Sequence, residues 1–309
     1  MKRLITLLLI LCICLCGCAK DLPLDLPPEA LEKNAVPAMA KVGYEARPRE
    51  IAMPVLMYHH FTDRESSNVD TVVSAKMLDK QMKALKNAGY ETVTPYQLCD
   101  FANGKGKLPL KPILITIDDG YRSNLEIAAP IFEKYGMNAT IFAIGIYEGK
   151  EISPHTNKKI DIPRFSFEEA KPWIDKGTIV IQTHTYDMHQ KAADNISGRE
   201  GVLQKEGEQE EEYRQALRAD IEKAKNGLET KLGITPVAIA FPYGLNSKIA
   251  VEEWENAGIG LTLTTVYGCS TIKEGVPETI RCMKRWNITD QVDEHKLIQR
   301  LKEFNEAIK

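Results

Sequence analysis

Along this chain, short apolar runs rich in β-branched residues alternate with stretches whose apolar positions recur every three or four residues. The first kind reads as buried strands, and the second as helices with one face on a core. Residues 54–60 form a short apolar strand ending in His59 and His60. Ser74 caps a helix that carries Leu78, Met82 and Leu85 and closes at Gly89. The run Leu114-Ile115-Thr116-Ile117 stops abruptly at Asp118-Asp119-Gly120. Leu125, Ala128, Phe132 and Tyr135 make the next helical stripe, ended by Gly136, and residues 139–144 the next strand. Ser166 and Glu169 form a capping box for a helix reaching about Asp175, which Pro172 distorts. Residues 178–183 are another strand, and 190–210 a polar excursion over the surface. Tyr213, Leu217, Ile221, Ala224, Leu228 and Leu232 carry the strongest helical periodicity, which Gly233 terminates. Residues 237–241 are a strand running into Pro242-Tyr243-Gly244, and a helix, a strand and a last helix over about 292–308 complete the pattern.

Strands alternating with helices imply an α/β fold built on a parallel sheet. With no internal repeat, the simplest reading is a single domain over residues 51–309, either a (β/α) barrel or an open doubly wound sheet. The N-terminus stands apart. Lys2 and Arg3 precede an apolar stretch from Leu4 to Leu15, too short to span a membrane and of the length of a signal peptide. Leu15-Cys16-Gly17-Cys18 closes residues 1–18 as a bacterial lipobox would, so Cys18 is expected to carry a lipid and to hold the mature protein on the outer face of the cell membrane. Residues 19–50, with five prolines and little periodicity, read as a tether. A net charge of -3 excludes the basic field that nucleic-acid binding needs. Of the cysteines that remain in the domain, Cys269 and Cys282 are near enough in sequence to bridge in an oxidising compartment.

The candidate chemistry sits at strand ends. Asp118 and Asp119 are neighbours on an extended segment, where successive side chains diverge, so one carboxylate can bind a metal while the other handles a proton. His184 and His189, two of only six histidines, share one loop after a strand, and two imidazoles with a carboxylate form a recurrent catalytic metal set. Tyr243 stands in an aromatic-proline turn whose backbone N–H can face an oxyanion. His59 has the chemistry of a general acid. In a parallel barrel these strand ends converge on one face.

These residues resemble the polysaccharide deacetylase family, also called the NodB-homology or carbohydrate esterase four family, over most of residues 51–290. Asp118-Asp119-Gly120 matches its first motif, and His184-Thr185 with His189 its second. The His-Thr-Tyr-Asp-Met-His spacing and the opening Val55-Leu56-Met57-Tyr58-His59-His60 are similar to the branch that deacetylates poly-N-acetylglucosamine. The resemblance implies a distorted (β/α) barrel with a divalent metal, zinc first and cobalt or nickel otherwise, held by Asp119, His184 and His189. It implies Asp118 as general base, the N–H of Tyr243 in the oxyanion hole, and His59 as general acid. The implied substrate is an acetylated amino-sugar polysaccharide of the cell surface, poly-N-acetylglucosamine before peptidoglycan or chito-oligosaccharides. A non-enzymatic glycan-binding lipoprotein and a solute-binding lipoprotein are the rival classes. The sequence departs from the family where its third motif has an arginine and this chain has Ala240. Arg285 is the expected substitute, with Arg281 behind it. The family's late leucine-x-histidine motif is also missing, and His295 is a poor match.

Overall fold

Each apolar run becomes a strand because both of its faces are covered; all eight residues of the run at Pro112–Asp119 are buried. The computed structural model describes residues 50–195 and 197–307. The signal peptide, the lipobox cysteine and most of the tether therefore lie outside the described residues. In chain order the elements are β1 (Glu50–Met53), β2 (Val55–Tyr58), β3 (His60–Thr62), β4 (Val72–Ser74), α1 (Ala75–Asn87), β5 (Glu91–Thr92), α2 (Pro95–Ala102) and β6 (Pro112–Asp119). A π-helical turn at Asn124–Ala128 leads into α3 (Ala129–Tyr135), followed by β7 (Ala139–Ala143), α4 (Phe167–Asp175), β8 (Ile179–Thr183) and α5 (Glu210–Leu232). The chain continues through β9 (Ala238–Ala240), α6 (Lys248–Asn256), β10 (Leu261–Tyr267), β11 (Ser270–Lys273), β12 (Met283–Asn287) and α7 (Glu294–Glu306).

The main sheet runs β2-β12-β10-β9-β8-β7-β6-β5, and β2 also pairs with β6, so the sheet closes into a barrel with β5 outside the ring. Every pairing around the ring is parallel. Closure decides between the two architectures that the alternation allowed. The ring is irregular where β10 shifts register against β12, and most thinly paired where β8 meets β9, a contact with one ladder pair, Thr183 to Ile239. There a buried glutamine stands in for missing ladder bonds: Gln182 Oε1 accepts from the amides of Val237 and Ala238, each at 2.8 Å. Its Nε2 donates to the Tyr96 hydroxyl at 3.0 Å.

The helix signals are local and hold. Ser74 accepts from the Met77 amide at the start of α1, and Gly136 and Gly233 end α3 and α5 in the left-handed conformation. Pro172 sits inside α4 without ending it. Three differences stand against the sequence pattern. The described residues open with a strand at Glu50, because β1 pairs antiparallel with β11, two short segments too mixed in polarity to read as strands. The polar excursion at 190–210 also sends a side chain into the core: Val202 is buried against α5 and α6, its carbonyl accepts from the Tyr213 hydroxyl at 2.6 Å, and Arg199 pairs with Glu208. Cys269 and Cys282 are both free thiols, since one lies beyond β10 and the other contacts Thr262 and Asn246. Among the described residues no helix is long and apolar enough to cross a membrane.

Candidate metal centre

The period-two alternation of β6 sorts its side chains. Ile113, Ile115 and Ile117 pack outward against the helices, while Leu114 belongs to the core inside the barrel. Thr116 and Asp118 continue the inner column, which ends at the carboxylate. Facing them from β12 is Arg285, fully buried. Its guanidinium donates to both Asp118 oxygens at 2.8 Å, to Thr116 Oγ1 at 3.3 Å, and through Nε to the Thr264 carbonyl at 2.7 Å. Burial pushes the Asp118 carboxyl up, but Arg285 and His184 outweigh it and hold the group well below the usual carboxylate range.

Asp119 leaves the extended conformation, with φ of 74°. Divergence of successive side chains is therefore undone, and both carboxylates serve one site. Aspartate is among the few residues that tolerate this region. The Asp119 Oδ1 atom is buried without a hydrogen-bond partner. It lies 3.6 Å from His184 Nε2 and 3.3 Å from His189 Nε2. One ligand atom from each of Asp119, His184 and His189 falls within 4.8 Å of the others.

His184 is fixed by its other nitrogen. Nδ1 donates to the Ala240 carbonyl at 2.6 Å, which leaves the Nε2 lone pair directed at the carboxylates. Burial pushes its pKa down to about 4, so the ring is neutral at working pH, as a metal ligand must be. The orphaned Asp119 oxygen and the preset tautomer of His184 make this donor set fit a divalent ion. Imidazole and carboxylate together suit a divalent transition metal.

Ala240 stands where the resemblance implied an arginine. Its side chain lies in the barrel core, and its carbonyl, not its side chain, serves the site. The cationic position is filled from β12 by Arg285. Arg281 instead pairs with Glu255 and Glu278, away from Asp118.

Tyr243 also has positive φ, 58°, and its ring lies 4.8 Å from that of His189. The turn requires glycine next: at Gly244 a Cβ would meet Thr265 Oγ1 at 2.2 Å. His59 Nδ1 is buried without a partner, and its ring bears on the charge of both Asp118 and Asp119. His60 is turned aside, its Nδ1 2.8 Å from the Ser123 hydroxyl. His155 pairs with Asp187 at 2.7 Å, outside the ligand set, and His295 is an exposed residue of α7. The sequence pattern passed over Thr116 and Gln182, polar residues inside apolar strands; their one signal was that interruption.

The sequence profile of the polysaccharide deacetylase family matches residues 105–261. The Bacillus subtilis protein YxkH is 35% identical over 135 residues, 44% of this chain and 43% of that protein, so the match spans less than half of it. A poly-beta-1,6-N-acetyl-D-glucosamine N-deacetylase of Staphylococcus aureus is 27% identical over 284 residues, 91% of this chain and 89% of the relative. Among solved structures, a de-N-acetylase from Aggregatibacter actinomycetemcomitans matches with a TM-score of 0.68 at 22% identity, covering 82% of this chain and 99% of that one, a likeness of fold.

Proposed function

Since the chain belongs to the polysaccharide deacetylase family, we propose that it removes N-acetyl groups from N-acetylglucosamine units of an extracellular polysaccharide, poly-β-1,6-N-acetyl-D-glucosamine first. The observation that carries the chemistry is the Asp119, His184 and His189 cluster beside an ionised Asp118 held by Arg285. The Staphylococcus aureus relative, matched over most of its length, supports the choice of glycan.

Asp118 takes the proton of the attacking water. A carboxylate held so low is a weak base. Asp119, His184 and His189 would hold a divalent ion, which would supply what is missing, Lewis acidity toward the acetyl oxygen and the water. The backbone N–H of Tyr243 steadies the oxyanion, a contribution whose loss typically costs about 10²–10³ in rate. His59, rather than the Ser123-bound His60, protonates the departing nitrogen. The products are acetate and a free amine on the glycan. In the same reading Cys18 carries the lipid that keeps the domain outside the cell; Cys18→Ala is then expected to release it from the membrane fraction.

The test is acetate release from a panel of acetylated glycans, with and without chelator and added zinc, cobalt or nickel. Asp119→Ala and His184→Ala are expected to abolish both metal binding and acetate release, and full activity in either would sink the assignment. Asp118→Asn is expected to keep metal binding and lose turnover.

A further inference from the structure

The loop that joins the two candidate histidine ligands is held from both sides by groups remote in sequence. On one side stands Asp220, a residue of α5 only 6% exposed. Its Oδ2 accepts from the Tyr186 amide at 2.9 Å and its Oδ1 from the Asp187 amide at 2.7 Å. On the other side, the carbonyls of Thr185 and Tyr186 accept from the amides of Gly145 at 3.0 Å and Ile146 at 2.8 Å. Within the loop, Thr185 adopts a φ of 70° and its hydroxyl accepts from the Met188 amide at 3.1 Å. Successive peptides of the His184–His189 segment are thus clamped between α5 and the turn after β7.

The clamp matters unequally to the two imidazoles. His184 is steered directly by its bond to Ala240, whereas His189 depends on the course of the loop backbone and on packing against Tyr243. The two rings sit 4.7 Å apart, centroid to centroid, and both Nε2 atoms face Asp119. Asp220 is not one of the three clustered ligands and reaches them only through the peptides it binds.

We propose that Asp220 is a positioning residue of the metal centre: by accepting two consecutive amides of the loop, it sets the reach of His189 relative to His184 and Asp119. This rests on the reading above that His184 and His189 are ligands. A carboxylate suits the task because it offers two acceptor oxygens and no donor. In Asp220→Asn the same shape keeps one acceptor and turns an N–H₂ toward the other amide, so one peptide is released.

The experiment uses the full chain loaded with Co²⁺, read by its visible absorption and by competition with a chelator. Asp220→Asn is expected to bind Co²⁺ about 10–100-fold more weakly, the usual effect of losing a group that orients a ligand, and to show a changed absorption envelope. A folded Asp220→Asn protein with the wild-type affinity and spectrum overturns the proposal. Should that variant fail to fold, Gly145→Ala decides: its Cβ would lie 2.8 Å from the Tyr186 ring and press the same loop from the opposite side. The same weakening is expected there, and wild-type Co²⁺ affinity overturns the proposal. A Co²⁺ spectrum and affinity left unchanged by Asp119→Ala would sink the metal centre itself, a different failure.

Discussion

Asp118 shows how much one side chain can owe to a partner far along the chain. Its carboxylate and the Arg285 guanidinium are both buried and joined by two bonds of 2.8 Å. Such a pair is weak evidence of net stability, but removing one member strands the other. Arg285→Met is therefore expected to destabilise the fold by about 3–5 kcal/mol in urea unfolding, with turnover lost because Asp118 is no longer held ionised and aimed. A midpoint equal to wild type would show the pair to be idle. The pH dependence follows from the direction of the shift. The folded-state pKa of Asp118 is depressed. Its stabilisation is thus complete above the ordinary carboxylate value of about 4 and is lost as pH falls through the lower, folded value. The stability advantage of wild type over Asp118→Asn is expected to be constant from neutral pH down to about 5 and to shrink on further acidification. A gap that stays constant to the acid limit would contradict the pairing. Arg285 was legible only through the family resemblance and the missing arginine at Ala240; nothing in its own neighbourhood marks it as the residue that turns into the barrel.

The junction of β8 and β9 is where an element's integrity and the site's meet. One ladder pair joins the strands, and Gln182 supplies the acceptor for the amides of Val237 and Ala238, where the second strand starts. Gln182→Leu would leave both donors buried without partners, each at about 1–3 kcal/mol. Beyond that loss of stability, metal affinity is expected to fall, because β8 leads to His184 and β9 presents the Ala240 carbonyl that orients it. Unchanged metal affinity in a destabilised variant would separate the junction from the site. The helices were the most readable elements, since caps and glycine stops act over a single turn: Ser74, Ser166, Gly136 and Gly233 all sit where the pattern put them. β1 and β11 were not readable, because an antiparallel pair of short, half-exposed segments is specified by its partner and not by its own alternation.

The ring as a whole turns strand ends into a site. Asp119 follows from β6, His184 from β8, and His189 from the loop that α5 supports, so an ion bound by all three ties together segments with no local reason to stay in register. Ligand binding to the folded state alone adds about 2.7 kcal/mol at 100 times the dissociation constant. Added zinc is expected to raise the thermal midpoint of wild type, chelator to reverse the rise, and Asp119→Ala to abolish it; a chelator-insensitive midpoint would argue against the centre. What could be read along the chain was whatever depends on neighbours in sequence: strands from apolar runs, helices from periodicity and caps, and the chemical types gathered at strand ends, Asp118, Asp119, His184, His189 and Tyr243 among them. What could not be read was whatever depends on closure. Pairing of β2 with β6, the seating of Arg285 opposite Asp118, and the grip of Asp220 on the histidine loop all join residues tens to more than a hundred positions apart. A pattern of neighbours carries no record of which distant groups will meet; burial in a closed barrel settles that, because a polar group taken inside is costly unless it finds a partner there.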